Sequence, residues 1–336
     1  MDFNTIKEEF MNAAKAAQML QVAYVGVANK LFDCLLQNGE LSVAELAGKS
    51  AKDSGYINVW CDAAYAFGLL EWNGKFSLSD KGKFLARQQE TIMQIPAQAM
   101  VSAHMMERAA TLMKTGERPG EKVLLERESI LPMFGEMLER SFAGFFAGTI
   151  LPQIPAYEEI NAQKGLVVDL GCGNGWYLRK IAERFRDIRC LGLDGFHENI
   201  KNAAILAKEQ GVGDRVSFAE GDIYSFKPAE KADLVAMNRA LHHVWDKKEK
   251  VFEILAATVK PGGYAVIWEP HWPKDKEMLR KPEWKGMAMQ NITEYVQGNH
   301  FLNPEEIEAQ LAQAGFKPKT FLFANGAESL VTGKRT

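Results

Sequence analysis

The chain has 336 residues, 47% of them apolar and 25% charged, with 40 basic against 43 acidic side chains and a net charge of −3. That length suits two domains and a sizeable core. The composition excludes disordered, collagen-like and coiled-coil chains, and the balanced charge excludes a global field for nucleic acid or an anionic membrane. Apolar residues recur at helical spacing from Phe3 to Gln37 (Ala17, Leu20, Tyr24, Val27, Leu31, Leu35). Ser42 and Glu45 form a capping box for a short helix, Val43–Gly48. Asp53 or Ser54 opens a further helix, about Gly55–Leu70, and Asn73-Gly74 suits a tight hairpin turn. Three helices and a two-stranded hairpin make a winged-helix pattern. Residues 84–150 read as mostly helical and are rich in methionine (Met93, Met100, Met105, Met106, Met113). These methionines, with Phe142, Phe145 and Phe146, suit either an apolar pocket or a helical core or interface.

The second half alternates. Strand-like runs at Leu166–Leu170, Ile188–Leu193, Val216–Ala219, Leu234–Met237 and Tyr264–Trp268 enclose helical runs at Trp176–Phe185, Glu198–Gln210 and Lys247–Val259. That order predicts a doubly wound parallel sheet. A last helix, Pro304–Ala314, precedes two runs, Lys317–Phe323 and Ser329–Gly333, joined at Asn325-Gly326. These predict an antiparallel hairpin on the sheet edge. The expected division is a helical domain, 1–150, and an α/β domain, 151–336.

Cys34, Cys61, Cys172 and Cys190 stand far apart, as expected of reduced cytoplasmic thiols. The first residues lack a signal-peptide pattern, and the stretches 91–106 and 142–157 are too short and polar to span a membrane.

In Leu166–Tyr177 an apolar strand runs into Gly171, Gly173 and Gly175, and a helix begins at once. Glycines there let a ligand approach the backbone, and the helix start offers free N–H groups. The spacing is G-x-G-x-G, with Trp176 where a dinucleotide fingerprint needs its third glycine, so a smaller zwitterionic ligand is expected. Asp194 ends the next strand, where an acid reaches a ribose diol, and Asp222 ends the third; both also suit helix N-caps.

Asp169–Gly175, Asp194, Gly221-Asp222 and Lys260-Pro-Gly-Gly263 together resemble the class I S-adenosylmethionine-dependent methyltransferases. The winged-helix half, Leu241-His242-His243-x-x-Asp246 and Ala314-Gly315-Phe316 narrow the resemblance to small-molecule O-methyltransferases of plants and bacterial secondary metabolism. The resemblance implies S-adenosylmethionine as cofactor, a Rossmann-like domain, a homodimer and a small aromatic or polyketide-like acceptor. It further implies that Gly171, Gly173 and Gly175 pass along the methionyl and ribose groups, with Asp169 supporting the loop. Asp194 would take the ribose hydroxyls, Asp222 the adenine amino group, and Asn238 stands where plant members carry a lysine at the cofactor.

His242 sits where the family places its general base, and a histidine suits deprotonation of a phenol at neutral pH. Plant members read His-Asp-Trp-x-Asp; this chain reads His242-His243-Val244-Trp245-Asp246. Asp246 with Glu249 also reads as a capping box. Glu269 ends the fifth strand and is expected to orient the base or touch the substrate. The stretch 298–302, where members place an acidic partner for the histidine, holds no glutamate. His243 is expected to leave the strand end in another direction. No H-x-x-H or H-x-x-x-H spacing joins His242, His243, His271 and His300, so no metal is expected. Two other functions compete: a cofactor-binding protein of this fold that methylates N or C or does other chemistry, and a DNA reader. The latter is disfavoured because Ser54–Glu71 has no Lys or Arg, and residues 1–90 carry 9 basic and 11 acidic residues.

Overall fold

The computed structural model describes residues 2–87, 95–120, 123 and 133–336; Met93 lies outside them. The chain divides into two compact units, Met1–Glu107 and Arg108–Thr336.

In the first unit the apolar run from Phe3 is two helices, α1 (Phe3–Ala28) and α2 (Leu31–Asn38). They break where Lys30 takes the left-handed conformation, φ 56°. Helix α3 (Val43–Ser50) starts at the expected Ser42–Glu45 capping box. Asp53 caps α4 (Ser54–Ala66), accepting from the Tyr56 N–H. The helix stops short of Leu70 because Leu70–Trp72 are already strand β1, paired antiparallel with β2 (Phe76–Leu78). Gly74, at φ 91°, makes the turn. Leu31, Phe32, Leu35, Leu46, Ile57, Trp60, Leu70 and Phe76 pack as one core. The outer part of α1 adds little: Phe3 and Phe10 are 79% and 73% exposed. Helices α5 (Asp80–Ala86) and α6 (Ile95–Leu112) follow, and the division between units falls within α6.

The second unit begins well before residue 151. Helix α7 (Met133–Phe145) runs into a π-helical turn, Phe146–Ile150, and Phe146 and Ile150 are fully buried in the same core as Val167, Leu234 and Trp268. Burial of these large side chains ties the segment to the sheet, so the compact division comes earlier than the expected one. Phe142 and Phe145 set their rings against Trp268, which makes them core packing.

After α8 (Pro155–Ala162) the chain alternates: β3 (Leu166–Leu170), α9 (Trp176–Arg184), β4 (Arg189–Asp194), α10 (His197–Glu209), β5 (Val216–Glu220), β6 (Ala232–Asn238), α11 (Lys248–Thr258) and β7 (Val259–Pro270). Helix α12 (Pro282–Val296), which periodicity had not suggested, precedes α13 (Pro304–Gln313), β8 (Phe316–Phe323) and β9 (Glu328–Arg335). The sheet order is β5-β4-β3-β6-β7-β9-β8. The first five strands are parallel, and the β8–β9 hairpin closes the edge antiparallel. Both faces are covered, and side chains divide between them with period two. Val167, Leu234, Ala236, Val266 and Trp268 enter one core layer, while Val168, Leu170, Val235, Met237 and Ile267 enter the other.

Candidate active site

Strand order reverses between β3 and β6, so their carboxyl ends open a crevice. The glycine loop leaves β3 there with Gly171, Gly173 and Gly175 at φ 81°, 53° and 74°. The three glycines differ in what a side chain would meet. At Gly171 a Cβ would come within 2.7 Å of the Ala240 methyl, so this glycine lets the loop after β6 pack against the loop after β3. At Gly175 it would strike the Phe218 ring at 2.4 Å. At Gly173 it would meet nothing within 4 Å. Gly173 is the position where a ligand has room against bare backbone.

Asp194, at the end of β4, holds this loop. Its carboxylate accepts from Gly173 N–H at 2.8 Å, Phe196 N–H at 3.0 Å and the Asn199 amide at 3.1 Å. Four lone pairs serve two oxygens, so one remains for a ligand hydroxyl. Asp222 caps the turn Ile223–Ser225, accepting from Tyr224 N–H at 3.1 Å, and is exposed. The cap engages Oδ1 only.

Asp169 is 1% exposed, and neither of its carboxyl oxygens has a hydrogen-bond partner among the described residues. Burial first, and then the charge of Asp194, push its carboxyl well above the usual range. The Asn238 N–H opposes this weakly without reaching hydrogen-bond geometry. Asn238 Oδ1 is likewise buried and unmet. Three orphaned polar atoms at the ends of β3 and β6, the two Asp169 oxygens and Asn238 Oδ1, suit a ligand bearing an ammonium group, which favours the Asp169 carboxylate.

The loop after β6 continues as a 3₁₀ helix, Leu241–Lys247, that leads directly into α11. No free helix end exists at Asp246, so the expected capping box does not form: the N-cap is Lys247, and Asp246 lies 3.9 Å from the Arg118 guanidinium. His242, 5% exposed, sits on this turn. Glu269, completely buried at the end of β7, accepts from the N–H groups of Leu241 at 2.7 Å and His242 at 3.3 Å through Oε1. Its Oε2 lies 2.6 Å from His242 Nδ1. Burial disfavours the charge on Glu269, but the His242 ring, with Arg239 and His243 beyond it, outweighs burial and holds the carboxyl below its usual value. A charged Glu269 fixes the proton on Nδ1 and leaves the Nε2 lone pair outward. Glu269 has no exposed surface, and its carboxylate is taken up by the His242 ring and the Leu241 and His242 N–H groups.

A second acid comes from α12: Glu294 Oε2 stands 3.7 Å from His242 Nε2. The stretch 298–302 does lack a glutamate, yet the acidic partner stands four residues before it. Pro282 at the first helical position and Gly298 beyond the last were the available signal for this helix. His243 does not diverge from its neighbour: the two rings lie 4.1 Å apart and are tilted by 36°.

Sheet order, glycine loop and strand-end acids are the features expected from the resemblance to class I S-adenosylmethionine-dependent methyltransferases. Residues 167–263 match the family described as "Methyltransferase domain". The chain is similar to O-methyltransferase AMT9 of Alternaria alternata, 32% identical over 127 residues, covering 38% of this chain and 29% of the relative. It is also similar to trans-aconitate 2-methyltransferase of Streptomyces avermitilis, 36% identical over 95 residues, covering 28% and 34%. These matches span about a third of the curated relatives' own length. Its fold is that of mitomycin 7-O-methyltransferase MmcR, with a TM-score of 0.74 at 16% identity over 99% of this chain and 98% of that one.

The glycines give a first prediction. Gly173→Val is expected to abolish binding of S-adenosylhomocysteine while costing about 1–2 kcal/mol of stability for the left-handed backbone. Gly175→Ala is expected to destabilise more, because the Phe218 ring must move. Calorimetry with unchanged affinity in Gly173→Val would refute the placement of the ligand.

Proposed function

We propose that the protein transfers a methyl group from S-adenosylmethionine to a hydroxyl oxygen of a small aromatic acceptor, with His242 as general base. The observation that carries this reading is the Glu269–His242 pair, whose histidine stands on the loop that packs, through Ala240, against the glycine loop. Asp169 and Asn238 would meet the donors of the methionyl group, Asp194 the ribose hydroxyls and Asp222 the adenine amino group, with Gly171, Gly173 and Gly175 alongside. The cofactor, when bound, supplies a sulfonium-activated methyl for in-line displacement. The chain's own work is to align the acceptor, take its proton at His242 Nε2, and stabilise the resulting imidazolium with Glu269 and Glu294. Incubating the protein with methyl-labelled S-adenosylmethionine and a panel of phenols tests this. Label appearing on nitrogen or carbon, or no labelled product despite tight S-adenosylhomocysteine binding, would favour the second reading: the same fold put to other chemistry. The name of one relative, a trans-aconitate methyltransferase, shows how widely acceptors vary around a similar cofactor half.

We further propose that the first unit is a winged-helix dimerisation module of a cytoplasmic enzyme that binds neither nucleic acid nor membrane. Its α4 carries no Lys or Arg, as a DNA reader would need. Among the described residues no single helix is long and apolar enough to cross a membrane. Phe3, Ile6, Phe10 and Met11 stand exposed on α1, and pairing two copies about a twofold axis would cover them. Light scattering at micromolar concentration is expected to return twice the 37.5 kDa chain mass; a monomer would refute the pairing.

A further inference from the structure

The His242 ring poses a charge problem that the general-base role does not resolve. With Nδ1–H donated to Glu269, Nε2 presents a lone pair, and 3.7 Å away the Glu294 carboxylate presents another. Two buried acceptors facing each other repel unless a positive centre lies between them. A proton is one such centre. A third donor converging on the same point suits a metal ion better, and His243 supplies it: one ring nitrogen each from His242 and His243 and one Glu294 oxygen all lie within 4.8 Å of one another.

We infer that His242, His243 and Glu294 form a binding site for a divalent cation of borderline softness, the class of Zn²⁺ and Co²⁺. Two imidazoles and one carboxylate select these ions over Mg²⁺ and Ca²⁺, which prefer all-oxygen shells. Ligand atoms around a tetrahedral zinc stand ~3.4 Å apart, as its ~2.0–2.1 Å bonds require. The His242–Glu294 separation of 3.7 Å is nearly that already. His243, an exposed residue whose Nδ1 stands 2.8 Å from the Asn299 amide, moves closer by up to about 1.4 Å, the difference between 4.8 Å and the ~3.4 Å tetrahedral spacing. Behind the site, Glu269 accepts from the far nitrogen of His242, the arrangement that fixes the tautomer and raises the basicity of metal-bound histidines. Three protein ligands leave the fourth tetrahedral position for water.

The consequence for activity rests on the general-base reading above. The cation takes the same Nε2 lone pair that would remove the acceptor proton, so cation and acceptor proton compete, and the loaded protein is inhibited. Adjacent histidines escape motif searches built on H-x-x-H spacing, and Glu294 lies on a different element, which is why the sequence suggested no metal.

The test uses the full chain stripped with chelator and titrated with Co²⁺, whose visible d–d bands report coordination geometry without any assay of turnover. One equivalent is expected to bind with a tetrahedral spectrum that Zn²⁺ displaces. His243→Ala and Glu294→Gln should each weaken binding by at least about 10-fold, and Glu269→Gln by about 10–100-fold, as loss of an outer partner does. S-adenosylhomocysteine affinity checks that each variant is folded. An aqueous octahedral spectrum at millimolar Co²⁺, or variants that bind like the parent, would overturn the site. Methyl transfer assayed with and without Zn²⁺ separates the two readings. Saturable binding that leaves transfer unaffected would uphold the cation site and overturn His242 as the base.

Discussion

Replacing His242 with alanine is expected to lower turnover by about 10²–10⁴-fold, the worth of a positioned general base. S-adenosylhomocysteine affinity should barely change, because the unmet acceptors that suit the cofactor belong to Asp169 and Asn238. The loss should shrink for acceptors whose hydroxyls ionise more readily. Glu269→Gln makes the sharper companion. Two backbone N–H groups, of Leu241 and His242, point at Oε1 and will hold the oxygen of a glutamine there. Its NH₂ group must then face Nδ1, which becomes an acceptor, and the ring proton moves to Nε2. The side chain is the same size and the loop stays pinned, yet the base carries its proton on the wrong nitrogen. In another enzyme's catalytic histidine, the corresponding exchange costs about 10⁴ in kcat. A fall in kcat with little change in KM is therefore expected. Full turnover of either variant on an unactivated hydroxyl would make catalysis a matter of proximity alone. His243→Ala is a poor control, since its ring lies against that of His242.

The central parallel strands were legible as apolar runs: β3, Leu166–Leu170, is buried at all five positions, while β5, Val216–Glu220, at the sheet edge is buried only at Val216. Glycine and aspartate at their ends could be placed for the same reason, since a strand end fixes where the next side chain emerges. Three features were not legible. Helix α12 mixes exposed Met289, Ile292 and Tyr295 with buried Trp284 and Met287, so its apolar residues do not trace one stripe. Missing the helix meant missing Glu294, which reaches His242 only through tertiary packing. Asp246 has the spacing of a cap, but the preceding 3₁₀ turn continues into α11 and leaves no helix end to cap. Glu269 could be placed at the correct sheet edge, yet whether it orients or contacts depends on its burial, a property of everything packed around it.

Asp169→Asn is expected to raise the melting temperature of the cofactor-free protein near neutral pH while weakening S-adenosylhomocysteine binding by about 10–100-fold. The stability half follows from linkage. Burial holds the Asp169 carboxyl protonated well above its usual range, whereas the unfolded chain releases that proton from about pH 4 upward. Above that pH the folded state binds more protons than the unfolded one, so stability is lost as pH rises toward the folded value. Asparagine keeps the shape, has no proton to lose, and removes that slope. The binding half follows from what the ligand brings. An ammonium group near Asp169 favours the carboxylate, and a hydrogen bond to a charged group is worth about 1.5–3 kcal/mol. Binding to the parent protein should therefore release a proton. Its calorimetric enthalpy should change with the ionisation enthalpy of the buffer, and the dependence should vanish in the variant. Equal pH slopes of melting temperature in the two proteins would show that Asp169 is charged in the fold. A buffer-independent enthalpy would show that the ligand's ammonium group settles elsewhere along the crevice.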